Sequence, residues 1–245
     1  MVRIVNHSQR RNSILNASIN AYINSASPVS SEFLAREFDL SSATVRHIFA
    51  ELEEAGYLTH PHTSAGRVPT DKGYRYYVDF LMAEHELLEE EKKKIINEYK
   101  TRLEHLEDIL EKTSEVISAI THYAGIVAFA QEQNKFFYRG LSRILQQPEF
   151  SSAEKICLLI KVIEEKRRLL DIINRDFEEE KTKIYIGDEI GCTEISGCSL
   201  VVSTCRRGKR NNAKVAVLGP RRMNYDHIIP ALEFIADTLS DSLID

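Results

Sequence analysis

The sequence contains no run of about 18 apolar residues, so no segment is expected to cross a membrane as a helix. The opening stretch from Met1 to His7 lacks the apolar core of a signal peptide, and a cytoplasmic location is the expectation. Cysteine is sparse. Cys157, Cys192, Cys198 and Cys205 form no C-x-x-C pair, which argues against a disulfide framework and for reduced thiols. Ten glycines and six prolines in 245 residues leave little room for long disordered tracts. There is no Gly-rich phosphate loop, and no histidine stands at a catalytic spacing from the cysteines. His60 and His62 have no third ligand nearby, so a metal centre is not expected. Neither enzymatic activity nor a cofactor is expected.

What is present is an ordinary globular composition, 43% hydrophobic and 28% charged, at a length that suggests two modest domains. The net charge of -5 does not exclude nucleic acid, because phosphate binding depends on where cations sit. Residues 1–80 carry eight Lys/Arg against eight Asp/Glu, and four of the eight histidines. A formally neutral segment of this kind predicts weak non-specific DNA binding.

The first eighty residues read as helices and a hairpin. Leu15, Ile19, Tyr22 and Ile23 mark one face of a first helix, which Ser25-Ala-Ser-Pro28 ends. Ser30 or Ser31 caps a short second helix with Leu34 and Phe38 inward. After a tight turn at Asp39-Leu-Ser41, Ser41 caps a third helix from Ser42 to Ala55, stopped by Gly56. Its inward stripe is Val45, Ile48, Phe49 and Leu52. Two helices joined by so short a turn, with a first helix behind, form a helix-turn-helix pattern. The same pattern also serves as a plain three-helix core or a protein-contact module. As a DNA reader it would use Ser41, Ser42, Ala43 and Thr44 for phosphate, and Arg46 and His47 for base edges. The stretch Tyr57 to Thr70 reads as a wing, with Gly66 at its bend and Arg67 at its tip, and with His62, Thr63 and Ser64 along it. Lys72 and Arg75 follow on a helix starting at Thr70 or Asp71, whose Tyr74 and Tyr77 are expected in the core.

Pro28-Val-Ser-Ser31, Ser41-Ser-Ala-Thr-Val-Arg46, Glu51-Leu-Glu-Glu-Ala-Gly-Tyr-Leu58 and Pro61-His-Thr-Ser-Ala-Gly-Arg-Val-Pro-Thr-Asp-Lys-Gly-Tyr-Arg-Tyr-Tyr-Val78 resemble the heat-inducible transcription repressor HrcA family. The last of these is long and unusual. The resemblance implies a dimeric repressor of chaperone operons that binds a paired inverted-repeat operator and is held active by a GroEL-type chaperonin. The chain departs from the family after Arg46, where His47, Ile48 and Phe49 replace an Asn, an acidic residue and a Met. An altered operator is expected from His47, and altered packing or a new contact from Ile48.

Residues 84–124 read as one long helix. Leu88, Ile95, Tyr99, Leu103, Leu106, Leu110 and Ile117 form a coiled-coil-like stripe, expected to dimerise the chain as a linker, or else to pack on its own domain. Beyond it, strands are expected near Gly125–Ala130, Lys135–Tyr138, Lys183–Ile186, Ser199–Ser203 and Lys214–Leu218. A helix opening at a Ser151…Glu154 capping box and a last helix from Tyr225 to Leu243 complete a small α+β domain. Gln147-Pro-Glu-Phe150, Ile186-Gly-Asp-Glu189 and Gly219-Pro-Arg-Arg-Met-Asn-Tyr225 again resemble the family. Its body is GAF-like with an inserted dimerisation domain, and here that insertion reads as largely deleted.

The expected architecture is therefore α+β. It has a winged helix-turn-helix over 1–82, a linker helix over 83–124 and a reduced GAF-like body over 125–245. Arg206, Arg207, Lys209 and Arg210 form the densest basic cluster, either a solvated turn or an anion or partner site. Arg221 and Arg222, before the last helix, could cradle an anion or pair with acidic neighbours. A sequence-specific dimeric repressor is the leading reading. The alternatives are a regulator whose GAF-like body senses a small molecule, and a protein-interaction module that has lost operator binding.

Overall fold

The computed structural model describes residues 7–62, 66–83, 86–99, 105–129, 136–175, 181–207 and 211–242, the side chains of 206, 207, 211, 212 and 242 excepted. The chain forms two compact units, Met1–Ala83 and Glu84–Asp245.

The first unit opens with three helices, of which the second and third are set by serine caps. Helix α1 spans His7–Ser25, α2 Ser31–Phe38 and α3 Ser42–Glu54. Ser30 accepts from the Phe33 amide, and Ser41 accepts from the Thr44 amide, so α2 and α3 each begin at a serine that satisfies an orphan N–H. Between α2 and α3 the chain turns through Asp39, held at φ 53°. The turn brings Leu34, Val45, Phe49 and Leu52 into one core with Ile14, Leu15 and Ile19 of α1. Ile48 is buried with them, so its departure from the family pattern is a matter of packing. Phe38 is only half-buried, and Ala35 takes the inward place beside Leu34.

Two short strands follow, β1 Leu58–Thr59 and β2 Val68–Pro69, paired antiparallel. Just before β2, Arg67 exchanges both backbone hydrogen bonds with Val29, at 2.8 and 2.9 Å. Gly66 makes this possible, because a Cβ there would overlap the Val29 carbonyl. Helix α4, Asp71–Tyr76, is capped by Thr70, whose hydroxyl also donates to the Gly56 carbonyl at 2.6 Å. A π-helical turn over Tyr77–Leu81 continues it. Gly73 lies against the Tyr57 carbonyl, where a Cβ would collide with the oxygen. Tyr74 and Tyr77 are core residues, as expected, and the Tyr77 hydroxyl donates to Asn20 Oδ1 at 2.9 Å.

The second unit is a mixed helix-and-sheet body around a five-stranded antiparallel sheet. Its strands are β3 Ala124–Phe129, β4 Phe136–Arg139, β5 Thr182–Ile186, β6 Cys198–Arg207 and β7 Asn211–Pro220, in spatial order β4-β3-β7-β6-β5. The expected strands are all present. The expected single helix over 84–124 is not. The segment holds α5, Glu89–Glu98, and α6, Leu106–Thr121, with β3 beginning at Ala124. Helix α6 lies on β3 and β4 beside the last helix, α10, Tyr225–Ser242, which covers β6 and β7. On the other face sit α7, Leu141–Leu145, α8, Ala153–Glu164, and α9, Lys166–Ile173. Ser152, not Ser151, caps α8. With helices on both faces, the interior strand β3 is buried along its whole length.

Candidate nucleic-acid interface

The start of α3 gathers six of the residues the sequence assigns to DNA, Ser41, Ser42, Ala43, Thr44, Arg46 and His47. The Ser41 and Thr44 hydroxyls lie 2.8 Å apart, so the cap also fixes the side chain that follows it. One turn on, Arg46 and His47 project from the buried stripe with side chains 65% and 75% exposed. Arg46 has a loose acidic neighbour, Glu32, at 4.0 Å. His47 Nε2 lies 3.3 Å from Glu51, which also stands 3.4 Å from His7 Nε2. A helix presenting a fork of guanidinium donors beside a small-residue first turn can enter a major groove and meet a base edge.

Three other cations of this unit, Arg67, Lys72 and Arg75, are committed to the protein itself. Arg67 is not at the tip of the hairpin. It lies immediately before β2, paired with Val29, and its guanidinium pairs with Glu53 of α3 at 3.0 Å. Glu53 also bonds His60 Nδ1, so one carboxylate ties α3 to both sides of the hairpin. Lys72 donates to the Ala55 carbonyl at 2.8 Å and lies over the Tyr57 ring, capping the end of α3. Arg75 pairs with Asp79 at 3.3 Å. His62 is exposed, while Thr63 and Ser64 lie outside the described residues. The sequence reading missed Glu53. The Glu51-x-Glu-Glu54 run announces an acidic helix end, but nothing local says which carboxylate meets the hairpin.

The second unit corrects two further expectations. The apolar stripe offered for dimerisation faces inward, because α5 and α6 are separate helices packed within the unit. Ile95, Leu110 and Ile117 are fully buried, Leu106 is half-buried, and the Tyr99 hydroxyl donates to Thr113 at 3.0 Å. Only Leu88 is exposed, at 69%, and Leu103 lies outside the described residues. The strand-to-helix turn at Gly219–Tyr225 is no anion cradle at Arg222. That guanidinium donates to Glu149 at 2.6 Å and to Gln147 at 2.8 Å, with its side chain 10% exposed. Arg221 is exposed. The Tyr225 hydroxyl bonds Ser199 and the Arg221 carbonyl, each at 2.7 Å, and Met223 is buried, so the motif shapes the turn. The backbone of Arg206 and Arg207 belongs to β6, while Lys209 and Arg210 lie outside the described residues.

The thiols behave as core groups. Cys192, Cys198 and Cys205 are buried, and burial pushes Cys198 and Cys205 up to about 12. Cys157 is exposed.

Residues 128–229 match the family described as "HrcA protein C terminal domain". The chain is 28% identical to the heat-inducible transcription repressor HrcA of Pelotomaculum thermopropionicum, with 96% of each chain covered. It is also 28% identical to the heat-inducible transcription repressor HrcA of Geobacter sulfurreducens, covering 95% of this chain and 97% of that relative. The first alignment runs over 334 positions against 245 residues, so at least 89 positions face gaps in this chain. Here β3 and β4 are joined by only six residues, 130–135. A crystal structure of a hypothetical protein at 2.2 Å resolution shares the fold, with a TM-score of 0.73 at 19% identity, covering 95% of this chain and 97% of that one.

Proposed function

We propose that the chain is a member of the HrcA family and a DNA-binding transcriptional repressor of heat-shock operons, a reading supported by its similarity to HrcA repressors along 95% or more of its length. In this reading the first unit is a winged helix-turn-helix. Helix α3 enters the major groove, and the β1–β2 hairpin is the wing. The second unit is a GAF-like body without the family's inserted dimerisation domain. The observation that carries the reading is the pair Arg46 and His47, exposed one turn beyond the capped start of a helix whose other face is buried.

The operator is an inverted repeat bound by a homodimer, since two half-sites call for two-fold symmetry. With the α5–α6 stripe buried inside its own unit, the dimer contact falls on another surface. The family reading also brings a GroEL-type chaperonin as the partner that keeps the repressor active. Among the described residues no helix is long and apolar enough to cross a membrane.

The test is fluorescence anisotropy of the full chain, at fixed salt, on two duplexes. One carries the inverted repeat upstream of the organism's own chaperone genes, and the other a scrambled version. The expected preference for the repeat is roughly 10³-fold or more. Equal weak binding to both would favour an interaction module that has lost its operator.

A further inference from the structure

We propose that the second unit holds a binding site for a small oxyanion, a carboxylate or phosphate of low molecular mass, in the cleft between α5, α6 and the β4–α7 corner. The cleft is open to solvent and has a volume of about 600 Å³, within the range of small-molecule sites.

Its charge runs against that of the chain. The protein carries a net charge of -5, yet this wall brings together Lys94, Lys112, Arg139 and Arg143 against two carboxylates, Glu98 and Glu115. Those carboxylates are already engaged. Lys112 pairs with Glu98 at 2.6 Å and with Glu115 at 3.7 Å. Arg139 pairs with Glu115 and with Glu111 from the neighbouring turn of α6. Among the described residues, Lys94 and Arg143 have no carboxylate within ion-pair distance.

Arg143 is also held in place. Its Nη1 donates to the Ser118 carbonyl at 2.7 Å and lies 3.1 Å from His122 Nδ1. Its Nε and Nη2 donors remain, and a planar fork with donors to offer suits a carboxylate or a phosphate. Ser118 is 3% exposed, and its Oγ has no hydrogen-bond partner. Gly140, at φ 80°, lets the backbone close on that hydroxyl, where a Cβ would overlap it. Val116 and Ile120 line the same cleft and leave room for a short apolar skeleton on the ligand.

The site is tested on the full chain by isothermal titration and thermal unfolding. Succinate and inorganic phosphate are the two probes, at constant ionic strength balanced with sodium chloride. Saturable one-to-one binding of at least one probe below about 10 mM is expected, with a rise in melting temperature that chloride does not reproduce. Binding of succinate alone would identify a carboxylate ligand, of phosphate alone a phosphate ligand, and of both a general oxyanion site. Arg143→Gln and Lys94→Gln should each weaken binding about tenfold. Lys94 is exposed on α5, so its variant reports on the site even if Arg143→Gln unfolds the corner. Absence of saturable binding by both probes, or binding untouched by either substitution, would overturn the proposal.

Discussion

Arg46 and Arg222 both stand near a helix start in stretches that resemble the family, yet the two units treat them oppositely. In the first unit the inward residues of α3 fill the core, and Arg46 projects outward with one carboxylate at 4.0 Å. In the second, Arg222 turns inward onto Glu149 and Gln147 and fixes the turn between β7 and α10. The motif at Gly219–Tyr225 is thus the structural one. A recognisable string of residues reports that a local shape is needed. Only burial and partners separate a shape from a contact.

Substitutions can break that contrast. The largest effect is expected at Gly73→Ala, where the added Cβ meets the Tyr57 carbonyl. Urea unfolding should show the first unit destabilised by about 3 kcal/mol. Arg222→Ala should cost the second unit about 2 kcal/mol, from charge-assisted hydrogen bonds lost at a mostly buried site. DNA affinity should not change while that variant stays folded.

Lys214 sharpens the picture of the second unit. It is buried on β7, donates to the Ile173 carbonyl, and is lowered to about 8 by burial and then by the nearby Lys183 charge. Below pH 8 both folded and unfolded chains hold this proton, and the folded state bears the full cost of the buried charge. Between pH 8 and 10.5 the folded state has released the proton while the unfolded state keeps it. Stability from this group therefore rises across that window. Lys214→Met should remove a rise on the order of 1–2 kcal/mol, read as the difference between two pH–stability curves. The smallest effect is expected at Ser41→Ala. Loss of the α3 cap should cost the first unit about 1 kcal/mol.

What the sequence made legible was mostly local chemistry. Ser41, Thr70 and Gly56 mark helix ends because a cap is satisfied within four residues, and the structure puts all three to that use. The strands of the body were legible because their apolar runs are long. The failures are non-local. Arg67 looked like a hairpin tip, since neither its pairing with Val29 nor its ion pair with Glu53 leaves a trace in spacing. The stripe from Leu88 to Ile117 repeats at helical steps, but such a stripe cannot say whether it faces a second chain or its own sheet. Helix α9 went unread because α8 passes into it at Glu165 with no glycine or proline to mark the break.

On the proposed function, the start of α3 reads DNA and the arginine turn of the body does not. The most direct test is an anisotropy titration of Arg46→Ala and Arg222→Ala, beside the parent chain, on the inverted-repeat and scrambled duplexes. Arg46→Ala is expected to lose about 1–3 kcal/mol on the repeat and to narrow the preference over the scrambled duplex. Folded Arg222→Ala should bind both duplexes like the parent. An Arg46→Ala chain that binds the repeat as tightly and selectively as the parent would contradict this reading.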